Sequence, residues 1–148
     1  MNFKDIISLF KQGKATANSH LKNLLEIAAA DGGLADEERR FLEYIAQRKN
    51  ISLQELKDLQ ADSSAVPFEV PKSEREKFSQ LYDLVHMMSV DKNIHSEELR
   101  LCELFAIKFG YRKEAVHELI DAIRQSIENW VGPDETLKAV SQKIKLYN

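Results

Sequence analysis

The sequence predicts an all-α fold, a helical bundle of about eight helices with an internal two-fold duplication, and three observations carry that prediction. Apolar residues recur at i, i+3, i+4 and i+7 through most of the 148 residues, the period of an amphipathic helix. No β-branched run alternates at period two for long enough to make a sheet. Residues 21–38 and 81–98 read as one helix-turn-helix written twice. Leu21/Leu81, Leu24/Leu84, Asp31/Asp91, Glu37/Glu97 and Glu38/Glu98 coincide, Leu34/Ile94 match in kind, and Arg40/Arg100, Glu43/Glu103 and Ala46/Ala106 continue the register. Similarity at a fixed offset marks duplicated architecture.

Phe3, Ile6, Ile7 and Phe10, at helical spacing ahead of Gly13, predict a short N-terminal helix that closes one side of the core. A second helix over 16–30 turns Leu21, Leu24, Leu25 and Ala28 to one face and stops at Gly32-Gly33, because glycine accepts the positive φ of a helix C-terminus. A third starts at Asp36 with Phe41, Leu42 and Ile45 as its stripe. Ser52-Leu53-Gln54-Glu55 is a capping box opening a short fourth helix. Between 61 and 73, Pro67 and Pro71 forbid helix and mark a connector.

Ser73-Glu74-Arg75-Glu76 reads as a second capping box, launching a helix with Phe78, Leu81, Val85 and Met88 in phase. Past Asp91, Leu101, Leu104 and Phe105 belong to a helix that ends at Gly110. Val116, Leu119, Ile120, Ile123, Ile127 and Trp130 trace the longest amphipathic segment, Gly132-Pro133-Asp134 breaks it, and Leu137, Val140, Ile144 and Tyr147 form the last helix. The expected organisation is one domain over 1–148: a first copy at about 16–60, the connector 61–73, a second copy at about 74–110, and C-terminal helices over 111–148. A pseudo-twofold axis would relate the halves.

A net charge of -3, with lysine and arginine interleaved among acids, argues against nucleic acid, whose phosphates need clustered cations. The lone Cys102 cannot form an intramolecular disulfide, and the opening residues have no secretory leader, so a cytoplasmic location is expected. No apolar run approaches the roughly 20 residues that cross a bilayer. Membrane insertion is therefore not expected, and peripheral association stays open.

The chemistry-bearing feature is the acidic turn. In each copy an aspartate ends one helix, a turn follows, and two glutamates occupy the first turn of the next. That spacing can bring Asp31 near Glu38, and Asp91 near Glu98, with turn carbonyls alongside. Hard divalent cations take oxygen ligands of this kind. If the pseudo-twofold axis sets the turns face to face, the four carboxylates would share a site whose mutual repulsion demands a cation; two separate turns would give weaker, water-filled sites. The competing explanation is structural: carboxylates at helix N-termini gain about 0.3–1 kcal/mol from the helix dipole. It accounts for the glutamates but not for the repeated aspartate. Neither turn has the alternating acids of an EF-hand.

The pattern Ala29-Ala30-Asp31-Gly32, a hydrophobic residue and then Glu38, repeated around Asp91 and Glu98 in a two-halved helical chain, resembles the TerB-like family, the tellurite-resistance and DnaJ-like-associated helical domain. The resemblance covers about 16–110. It implies an all-helical bundle with internal duplication and a divalent-metal site (Ca, Mg, Mn or Zn) on Asp31, Glu38, Asp91 and Glu98. It also implies a place in stress-response complexes near the membrane, with a protein partner and no enzymatic activity. The chain departs from the pattern at Lys92, where glycine is expected, and at Ala35 and His95, where serine or threonine is usual. Lys92 would weaken cation binding in the second copy, and no J-domain His-Pro-Asp is present to carry co-chaperone activity.

Other candidates rank lower. His86 and His95, with Asp91 and Glu98, would extend the metal reading to zinc, though the first copy has no equivalents. Glu114-Ala115-Val116-His117 has one Glu-x-x-His where a di-iron bundle needs two. Cys102 reads as a buried small hydrophobe, Met87-Met88 as core filler, and Trp130 as core or rim packing that could instead anchor an interface. The favoured reading is a non-enzymatic, metal-responsive module. A metal-independent interaction scaffold with an acidic docking patch comes second. A carboxylate-pair hydrolase is disfavoured because no phosphate loop, triad or cofactor fingerprint accompanies the acids.

Overall fold

The apolar periodicity builds helix from end to end. The computed structural model describes residues 2–30, 34–90 and 94–148, with the side chains of 7–12 left aside. Among the described residues are seven helices and no strand: α1 (Phe3–Ala29), α2 (Asp36–Arg48), α3 (Leu53–Ala61), α4 (Glu74–Ser89), α5 (Ser96–Lys108), α6 (Lys113–Glu128) and α7 (Pro133–Lys143).

The two N-terminal helices expected on either side of Gly13 are one 27-residue helix. A lone glycine costs a helix about 1 kcal/mol relative to alanine. That is too little to stop a helix opened by a reciprocal Asn2/Asp5 capping box and interrupted by no proline. The first turns do not close the core as expected: Phe3 is 77% exposed and Ile6 52%. Among the described side chains of α1, the buried apolar ones are Ala17, Leu21, Leu24, Ile27 and Ala28, where α1 packs on α4.

Helix α4 is the centre of the bundle, touching α1, α5, α6 and α7. Its composition explains the position. Phe78, Leu81, Leu84, Val85, Met87 and Met88 are all buried, and a helix that is apolar on more than one side has to be surrounded. The methionine pair is core filler, as expected. The Ser52 capping box forms in both directions. The Ser73 box forms by half: Ser73 Oγ accepts the Glu76 N–H at 3.1 Å, while the Glu76 carboxylate takes Lys49 Nζ at 2.7 Å. The connector is pinned rather than loose, since Lys22 Nζ donates to the Val66 carbonyl, the Glu69 N–H donates to Ser19 Oγ, and Phe68 stacks on Phe105 and Phe109.

Two helix starts recur at the offset of the sequence repeat. α2 and α5 are 13 residues each, beginning at Asp36 and Ser96, and α3 and α6 begin at Leu53 and Lys113. Helices α2, α5 and α6 also end alike. The N–H groups of Ile51, Tyr111 and Val131 donate to the carbonyls of Ala46, Ala106 and Ser126, the six-to-one closure of a Schellman motif. The preceding residues, Asn50, Gly110 and Trp130, take positive φ of 59°, 101° and 60°. Asn50 and Gly110 suit that conformation and Trp130 does not.

Candidate functional site

The two acidic turns lie between α1 and α2 and between α4 and α5. Asp31 and Asp91, with Gly32, Gly33 and Lys92, fall outside the described residues. The described half of each site is a glutamate at the third position of its helix. Glu38 is 2% exposed and Glu98 1%. They are the only buried glutamates among the described residues.

Helical register puts them there. Glu38 stands one turn before Leu42 and two before Ile45, and Glu98 one turn before Cys102 and two before Phe105; all four partners are buried. Each carboxylate therefore sits at the top of an inward-facing stripe. Glu38 Oε1 accepts the Ala35 N–H at 3.0 Å, closing the start of α2 where Ala35 has no side chain to cap it. Glu98 Oε1 lies 3.9 Å from His95 Nε2. A buried carboxylate is costly unless charge or hydrogen bonds compensate it, so both positions are chemically loaded. The outer glutamate and its neighbours differ: Glu97 pairs with Arg100 and Asp36 with Arg39, both on the exposed side.

Among the described residues, no three His, Cys, Asp or Glu side chains gather into a group that could hold a metal. Helices α2 and α5, which carry Glu38 and Glu98, form no extended contact. His86 is drawn elsewhere, its ring between Phe41 at 4.5 Å and Tyr82 at 6.3 Å, and burial lowers its pKa against a smaller opposing pull from Asp83. Glu114 and His117 are exposed, and His117 faces Asp121 at 3.5 Å. Cys102 is fully buried, its Sγ 3.7 Å from the Leu84 carbonyl. Burial, then the charges of Glu98 and Glu103, push its thiol far above the ordinary range.

Two features were not anticipated. Trp130 is 95% exposed, against the expectation of core or rim packing, because the Schellman turn carries it past the last buried turn of α6. His20 and Asp83 pair where α1 packs on α4, and Asn23 and Gln80, about one turn away on the same two helices, are buried polar residues as well. Their signal was present as polar residues set inside apolar stripes, beside Leu21, Leu24, Leu81 and Leu84. No family of known proteins, no characterised protein and no solved structure matches this chain.

Proposed function

We propose that this chain is a non-enzymatic module whose two acidic turns bind a divalent cation, bracing the bundle for a protein partner to read. The burial of Glu38 and Glu98 at equivalent positions carries this reading. An acidic docking patch asks for exposed carboxylates, whereas these two are interior, each in the first turn of the helix that follows an acidic turn, where a hard cation would find oxygen ligands. The neutralisation of Asp36 and Glu97 by Arg39 and Arg100 weighs further against a docking patch. The resemblance to the TerB-like family points the same way, and a membrane-proximal stress-response role rests on that resemblance alone.

The donors at hand are oxygens, which suit Ca²⁺, Mg²⁺ or Mn²⁺ better than Zn²⁺. The separation of α2 from α5 favours two local, water-completed sites over one shared by Asp31, Glu38, Asp91 and Glu98. A bound cation would neutralise the glutamate and tie each helix end to the start of the next. The inert, buried Cys102 thiol supports a non-enzymatic reading. Calorimetric titration of Ca²⁺, Mg²⁺, Mn²⁺ and Zn²⁺ into the wild type and the Asp31→Ala/Asp91→Ala variant is the test. Saturable heats lost in the variant are expected; equal heats in both proteins would remove the acidic turns from the account.

A further inference from the structure

We propose that the cleft beside Trp130 binds a small zwitterion with an apolar body, of the size of a free hydrophobic dipeptide. The cleft, about 850 Å³, opens between the C-terminal halves of α4 and α6. That volume lies in the range of small-ligand sites, about 300–1,000 Å³. Tyr82, Ile127 and Val131 give it a mostly apolar lining, with the half-buried imidazole of His86 as a polar point on the α4 side. The cleft is preformed. Tyr82 Oη donates to the Val131 carbonyl at 2.6 Å and the Val131 N–H donates to the Ser126 carbonyl, so α4, α6 and the turn that carries Trp130 are tied together. Trp130 is held in that turn at a φ of 60°, a conformation that a residue with a Cβ rarely adopts, and is 95% exposed. A fixed indole at the edge of an apolar cleft offers a stacking face that the fold itself does not use.

The charged lining selects the occupant. Arg124 and Glu128 border the same cleft from one face of α6, four residues apart with Ile127 between them. They do not pair with each other. Arg124 leans one turn back instead, its Nη1 3.9 Å from Asp121 Oδ1, which is long for a charge-assisted bond, and Glu128 makes no ion pair among the described residues. The cleft therefore presents a guanidinium with donors to spare and an unpaired carboxylate, their Cβ atoms about 5–6 Å apart by helical geometry. An anion alone would meet Glu128 and a cation alone would meet Arg124, whereas a molecule carrying both charges satisfies both. In an extended dipeptide the ammonium and the carboxylate stand up to roughly 7 Å apart, two residue lengths, while in a single amino acid both sit on one carbon. The dipeptide matches the spacing, and its two apolar side chains match the lining and the indole.

Trp130 is the chain's single tryptophan, so its fluorescence reports on the cleft directly. Leucyl-phenylalanine is titrated into the full chain in EDTA, which keeps the outcome independent of any cation at the acidic turns. A saturable blue shift of the indole emission is expected. N-acetyl-leucyl-phenylalanine, which lacks the ammonium, and leucyl-phenylalanine amide, which lacks the carboxylate, should each bind about tenfold more weakly or worse. Arg124→Gln should bring the free dipeptide down to the affinity of its amide, and Glu128→Gln down to that of its acetylated form. Both side chains reach solvent, and a cooperative melt by circular dichroism confirms that the variants fold. A wild type with no saturable shift overturns the proposal, as do equal affinities for the three peptides, which would leave an apolar cleft blind to charge. Variants that bind like wild type overturn it too, and so does free phenylalanine binding as tightly as the dipeptide, which would make the occupant a single amino acid.

Discussion

His20 Nε2 and Asp83 Oδ2 stand 2.9 Å apart where α1 packs on α4, the imidazole fully buried. The offset of the sequence repeat aligns His20 with Gln80 and Asn23 with Asp83. All four are buried polar residues beside the apolar Leu21, Leu24, Leu81 and Leu84. Replacing one member of the His20–Asp83 pair strands the other. His20→Ala or Asp83→Ala should each cost about 2–3 kcal/mol, the desolvation of an unsatisfied buried group. A His20→Leu/Asp83→Leu double variant should cost less than the sum, because neither polar partner remains. Urea unfolding midpoints for the three proteins measure the coupling, and strict additivity would show that the pair is not coupled.

Trp130 and Gly110 share a turn geometry but have opposite liabilities. Trp130→Gly removes left-handed strain and should stabilise the monomer by about 1 kcal/mol. Gly110→Ala should destabilise it by about as much, since a Cβ there meets open space and only the φ of 101° opposes it. Thermal melts of the two variants against wild type read both shifts.

Glu38→Gln distinguishes a cap from a cation ligand. The amide oxygen can still accept the Ala35 N–H, so without metal the variant should lose only about 0.5 kcal/mol of charge-dipole stabilisation. A cation held by the folded state alone raises stability by about 2.7 kcal/mol at a hundredfold excess over its Kd. That increment should appear in the wild type and shrink in Glu38→Gln. Paired melts in EDTA and in Ca²⁺ read both numbers, and an equal rise in the two proteins would assign Glu38 to capping alone.

His86 should make stability fall on the acid side of neutrality. Burial holds its imidazole below the ordinary 6.5. As pH drops through 6.5 the unfolded chain takes up a proton that the folded protein resists, so stability present above that value is lost until the folded pKa is passed. Urea midpoints between pH 7.5 and 5.5, wild type against His86→Gln, isolate the contribution by difference. The variant should show the shallower fall.

Much of the fold was legible because helix formation is written in short-range periodicity and capping. The starts of α2 at Asp36 and of α3 after Ser52, the ending at Gly110, and the burial of Leu21, Leu24, Met87, Met88 and Cys102 all follow from spacing within a turn or two. The N-terminal region was misjudged where spacing stops being decisive. Phe3 and Ile6 have the periodicity of a core helix, but whether anything covers them depends on how far the rest of the bundle reaches along α1.

The candidate site divides along the same line. The repeat alone singled out Glu38 and Glu98 among many acids, because a duplicated position is visible in one dimension. That both are buried at the head of an inward stripe, that α2 and α5 do not pack on each other, and that His86 leaves the turn for Phe41 and Tyr82 were decided by the tertiary structure. Trp130 is the sharpest instance. The sequence places it in phase with Ile120, Ile123 and Ile127, yet a hydrogen bond from Val131 to Ser126 swings it out of that phase into solvent. Periodicity specifies which residues share a helix face; burial and partnership arise from contacts between distant segments, where solvent exclusion and backbone closure act together.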